Sequence, residues 1–189
     1  MIRSATIAAA FGLGGIVASL FYFLAVPHGT DPVAGIAAHP VWVETKWPFL
    51  MDEWGEGKAF QCKAADCGVE LNLYVRSKIG FCSSTTGVAD DNELERLSDF
   101  DFMNGATAAL GEGHEITVAW MKGRLRTYAA AGPARTRTTA ISIVYNNNSD
   151  ALIATVILNG RQLDGVEPVV IAFLNEKSML LWLTNKVGL

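Results

Sequence analysis

The chain has 189 residues, of which 50% are hydrophobic and 18% charged, with a formal net charge of −4. These values exclude a disordered chain or a collagen-like repeat. With 19 acidic against 15 basic side chains they also argue against general nucleic-acid binding, which is built from clustered cations.

No charged side chain lies between Arg3 and His28. The apolar run from Ala5 to Val26 is 22 residues long. As a helix it would cover roughly 33 Å, enough for a hydrocarbon core of about 30 Å. Its bulky end, Phe21-Tyr22-Phe23-Leu24-Ala25-Val26-Pro27, is a poor cleavage site. A retained anchor is therefore expected over residues 1–27. Arg3 precedes the run, and no Lys or Arg follows until Lys46. The positive-inside rule then puts the amino end in the cytoplasm and the remainder outside, in the periplasm if the source is bacterial.

Residues 28–45 read as a tether, with prolines, glycines and no sustained periodicity. Residues 46–189 are expected to form one extracytoplasmic domain. Its first segment, Trp47 to Gly55, reads as one or two helical turns packed on the domain. Ala59-Phe60-Gln61-Cys62 and the alternating Val69 to Val75 are strand signals, with Lys63 to Gly68 as the connection. Asp90 or Asp91 can cap a helix whose Leu94, Leu97 and Phe100 fall on one face. That helix is expected to stop at Asn104-Gly105 or to run on through Ala106 to Leu110.

Ile116 to Trp120 and Arg124 to Tyr128 read as strands joined by a tight turn at Lys122-Gly123. Thr138 to Tyr145 and Ala151 to Leu158 are apolar on both faces, as expected of covered central strands, and the asparagine-rich segment 146–150 joins them. Pro168 opens a helical stripe, and the last residues fit one long helix, two helices, or a helix and a strand. The expected class is thus α+β: an N-terminal transmembrane helix, then one domain with a mainly antiparallel sheet and two or more packed helices.

Chemistry-bearing residues are few. Cys62, Cys67 and Cys82 are the only cysteines. Outside the cytoplasm one bridge can form among them, and Cys62 with Cys67 flank a proposed hairpin connection. Their spacing matches neither the zinc-knuckle nor the thioredoxin-like C-x-x-C form, and His28, His39 and His114 stand at no recognisable ligand spacing from them. A thiol or metal protein using these cysteines in redox or copper chemistry is the competing class. Lys122, Arg124, Arg126, Arg135 and Arg137 fall in a stretch without acids and offer a surface for an anionic partner. The commoner reading is a solvated strand face that protects a sheet edge. Asp90, Asp91, Glu93 and Glu95 are best explained as helix-start residues.

No catalytic signature, cofactor motif or metal site is evident. The expected partners are the membrane, through the N-terminal helix, and a protein, with no nucleic acid. The expected function is that of a non-catalytic interaction or envelope accessory module.

Overall fold

The computed structural model describes residues 40–80, 88–103, 107–131, 137–159 and 163–187, all within the compact unit Ala34–Leu189. Among the described residues eight strands form one sheet, and every pairing is antiparallel. They are β1 (Trp42–Thr45), β2 (Lys58–Cys62), β3 (Leu71–Lys78), β4 (Thr107–Ala109), β5 (His114–Val118), β6 (Met121–Ala131), β7 (Arg137–Asn147) and β8 (Asp150–Asn159). The order across the sheet is β1-β2-β3-β8-β7-β6-β4, with β5 also on β6. Two meanders are therefore sewn together where β8 returns to β3, from Leu71 opposite Leu158 to Lys78 opposite Ala151.

Among the described residues four helices accompany the sheet: α1 (Ala64–Cys67), α2 (Asp91–Leu97), α3 (Val166–Leu174) and α4 (Lys177–Val187). The longest has 11 residues and covers roughly 16 Å, about half a hydrocarbon core. Among the described residues no helix is long and apolar enough to cross a membrane. The expected class, with its transmembrane helix, is corrected accordingly to a mostly antiparallel sheet with four helices. Residues 5–26, on which the anchor rested, lie outside the described residues.

The strand alternation sorts side chains onto two unlike faces. On one, Phe60, Leu73, Val75, Leu125, Ile141, Ile143, Leu152 and Val156 meet Val170, Phe173, Leu174, Met179 and Leu183 of α3 and α4 in the main core. The other face carries a smaller cluster in which Leu94 and Leu97 of α2 cover Val144 and Ile153. β7 and β8 lie between other strands and are covered on both sides, hence their unbroken apolar runs.

Several local expectations are corrected. Trp42 to Thr45, placed in the tether, is the edge strand β1, and Trp42 stacks on Phe173 with ring centroids 4.7 Å apart. Trp47 to Gly55 forms no helix. Its aromatics are used against the sheet, where Trp47 and Phe49 pack edge-on against Tyr74 and Phe49 stacks on Phe102. The connection after β2 contains the single turn α1, closed by Gly68 at φ 73°. Thr107 to Ala109 is strand, not helix. The β5–β6 turn falls at Ala119-Trp120, with Ala119 at φ 53°. Gly123 sits inside β6 instead, where a Cβ would lie 2.4 Å from the Val144 carbonyl oxygen. That glycine answers a close approach of strands rather than a turn. The final segment is two helices, α3 and α4.

Candidate functional site

The sheet face under α2 concentrates the charged side chains. Arg76 pairs across the sheet with Ile153, Ile153 with Val144, and Val144 with Arg124. Two arginines thus stand on one row, roughly 14 Å apart by strand spacing, with two apolar residues between them. The covering segment repeats that pattern. Leu94 and Leu97 sit over the apolar middle, while acids reach out to each side.

On the β6 side, Asp91 accepts from Arg124 Nε and lies 3.4 Å from Arg126 Nη1, which also donates to Glu95 Oε1 at 2.7 Å. Asp91 and Glu95 are four apart on α2 and so share a helix face. Asp91 Oδ2 also accepts from the Gly113 backbone N–H at 3.0 Å. That hydrogen bond, with the one from Arg124, holds the Asp91 carboxyl below the usual carboxylate range, and burial only partly opposes them. The same arginines clamp the edge strand: Arg124 donates to the Gly113 carbonyl at 2.7 Å and Arg126 to that of Gly111 at 2.8 Å. From Ala109 to His114 the edge advances five residues while β6 advances three, from Tyr128 to Leu125. The edge therefore bulges where the guanidinium groups grip it.

On the β3 side, Asp99 is only 3% exposed and serves two cations. Arg76 donates to it through Nε at 2.7 Å and again through Nη2, and Lys78 Nζ stands 2.9 Å away. Lys78 also donates to the Leu97 carbonyl at 2.8 Å, next to the C-terminus of α2. The guanidinium of Arg76 sits 4.7 Å from the Phe102 ring centroid and reaches out through Nη1 to Asp52. Burial would raise the Asp52 pKa, but the hydrogen bonds from Arg76 and the Trp54 backbone outweigh it and lower the net value. Burial likewise disfavours charge on Arg76, and the two aspartates overcome it, so its pKa rises.

Such an arrangement fixes ionised side chains in place. A carboxylate held below its ordinary pKa by a guanidinium is a poor proton acceptor at neutral pH. The network's chemistry is cohesion: it bolts α2, the edge bulge and the 52–54 turn to the sheet.

Of the residues singled out in the sequence, Arg124 and Arg126 fall in this network and are partly buried there. Lys122 is exposed and lines, with Glu115, Thr117, Val88 and Ala89, a cleft of about 550 Å³ beside the β5–β6 hairpin. Arg137 begins β7, and Arg135 lies outside the described residues. Cys62 and Cys67 form a disulfide with Cα atoms 6.0 Å apart, and both are fully buried in the main core. Cys82, His28 and His39 lie outside the described residues. His114 is exposed on β5, its Nε2 2.9 Å from Glu167 Oε1. Among the described residues no three His, Cys, Asp or Glu side chains cluster as a metal site.

Asp90 accepts from the Glu93 backbone N–H and Glu93 from that of Ala89, each at 2.8 Å, so these two acids do cap α2. Sequence reasoning missed Asp52, Arg76, Lys78 and Asp99. The available signal was Tyr74, Arg76 and Lys78 alternating with Leu73 and Val75, which marks a strand whose second face needs counter-charges. No protein-family model matches this chain, and no curated protein is significantly similar to it in sequence.

Proposed function

We propose that this protein is an extracytoplasmic module that acts by binding another protein and carries out no reaction of its own. The observation behind this reading is how the domain distributes charged and apolar side chains. The strand cations Arg76, Lys78, Arg124 and Arg126 are engaged by carboxylates of the same chain. Leu50, Met51, Trp120 and Leu181 stand more than half exposed. Exposed apolar surface on a domain whose strand cations are already paired within the chain is what a partner contact requires. The Cys62–Cys67 bridge supports an oxidising compartment, since such bonds are rare where glutathione keeps thiols reduced.

The test is chemical crosslinking of the full chain in its native cells, followed by thiol counting on the purified protein with and without reductant. A discrete heteromeric adduct, with two thiols revealed only after reduction, is the expected result. Recovery solely as a free monomer would sink the interaction reading. Full thiol reactivity with stoichiometric bound copper or zinc would replace it with a thiol or metal protein.

A further inference from the structure

We infer that the loop 48–53 is a preformed docking element whose apex, Leu50-Met51, inserts into an apolar pocket rimmed by basic side chains on a protein partner. This inference rests on the interaction reading above and names the surface and the partner's chemistry.

Leu50 is 94% exposed and Met51 76%, higher than any other large hydrophobic side chain among the described residues. They are adjacent in sequence. Isolated exposed apolar side chains are ordinary on a protein surface, whereas a leucine and a methionine exposed side by side in one loop form an apolar projection.

The loop is held at both ends. Before the apex, Trp47 is buried against Ala59 and Phe102, and Phe49 lies flat on Phe102 with centroids 3.8 Å apart. Gly57 makes room for this seat, since a Cβ there would fall 2.7 Å from the Trp47 ring. After the apex, Asp52 accepts from Arg76, whose guanidinium is itself fixed by the buried Asp99. Asp52 also accepts from the Trp54 backbone N–H at 2.9 Å, and its carbonyl accepts from Gly55 N–H at 3.1 Å. An apolar apex held by aromatic packing on one side and, on the other, by hydrogen bonds of Asp52 to Arg76 and to the turn backbone loses little conformational freedom on binding. Folding alone gains nothing from holding Leu50 and Met51 out in water.

Charge selects the occupant. Glu53 and Glu56 follow the apex and are exposed, beyond Asp52 with its Arg76 partner, against the exposed Lys46 before it. An acidic collar is repelled by the negative surface of an anionic bilayer. It complements a protein pocket whose rim carries Lys or Arg, which would also speed encounter and impose register.

The experiment places a photocrosslinking residue at Met51 of the full-length protein in its native cells, with parallel positions at Trp120 and Leu181. The expected result is one adduct of defined mass from position 51 and none of that mass from 120 or 181. Leu50→Asp, and separately Glu53→Lys with Glu56→Lys, should each reduce it on the order of tenfold, as expected for a central anchor and for the rim that steers it. All these positions are exposed, so an unchanged melting temperature confirms that the variants fold. Sedimentation with phosphatidylcholine vesicles, or with vesicles containing phosphatidylserine, should be the same for the purified protein and for Leu50→Asp, and the protein should remain monomeric at concentrations where the adduct forms.

Vesicle binding lost on Leu50→Asp would overturn the inference in favour of a lipid surface. A dimer dissociated by that variant would overturn it in favour of a second copy of the chain. An adduct from 120 or 181 with none from 51 would sink the loop while leaving the interaction reading intact. No adduct from any position would sink both.

Discussion

Asp99 brings one carboxylate against two buried cations, Arg76 at 7% and Lys78 at 9% side-chain exposure. Buried charges lose their hydration, and the loss is recovered only while the partner is present. Asp99→Asn keeps the shape and removes the charge, leaving the two cations facing a neutral amide. We expect a loss of about 3–5 kcal/mol in urea denaturation, the usual cost of orphaning a buried ion. Asp52→Asn is the matched control. Asp52 accepts from the same guanidinium but is 42% exposed, and removal of such a partner costs about 0–1 kcal/mol. Equal losses for the two variants would show that burial is not what sets the strength of these pairs.

At the scale of elements, α2 is too short to be stable alone: seven residues form fewer than two of the turns that repay nucleation. It is held by Leu94 and Leu97 beneath and by Asp91 and Glu95 at the side. The lowered pKa of Asp91 makes that hold dependent on pH. A carboxyl whose folded pKa lies below its unfolded value, about 3.9, stabilises the fold above that value, and the contribution is lost as pH falls through the folded pKa. Asp52 shifts in the same direction. Below about pH 4 the amide protons of α2 and of the 111–113 bulge should therefore exchange before those of β7 and β8. Asp91→Asn should flatten that acid limb. Protection at α2, relative to the unfolded exchange rate, that does not fall on acidification or is unaltered by the substitution would remove the ion pair from the account.

The elements differ in how legible they were. β7 and β8 could be read because central strands covered on both faces have no alternative but apolar runs, and the turn between them carries its own signal in Asn148, at φ 54°. The α2 start could be read from Asp90, since capping is local chemistry. β1 and β4 could not, because edge strands of four and three residues with mostly exposed side chains bear no periodicity. The charged network was hidden for a different reason. Its partners are 23 residues apart for Arg76 with Asp99 and 33 for Arg124 with Asp91, so only the topology brings them together. Arg124 and Arg126 read as a free basic surface in sequence because their counter-ions come from another element. The cysteine pair was foreseeable as far as a choice among three, and only the fold selects Cys62 with Cys67.

For the whole molecule, the decisive contact is the β3–β8 seam, which joins the two meanders over the full length of β3. The disulfide lies on one side of it. Cys62 pairs with Leu71 across β2 and β3, and Cys67 closes the single turn between them. The loop it closes spans five residues, so its effect on the unfolded chain is at the small end, about 2 kcal/mol. Both sulfurs are buried in the main core, where Cys62 stands opposite Leu71, and free thiols pack as small hydrophobes in such a site. Reduction should then lower the melting temperature by about 4–8 °C for a domain of this size and leave the fold intact. The loss should also be local. Amide exchange should quicken in β1, β2 and α1, on the disulfide's side of the seam, and stay slow in β7 and β8, which are anchored by their own long pairing. Global unfolding on reduction would mean that the seam does not hold the second meander together by itself, and that the first meander must form before β8 can dock.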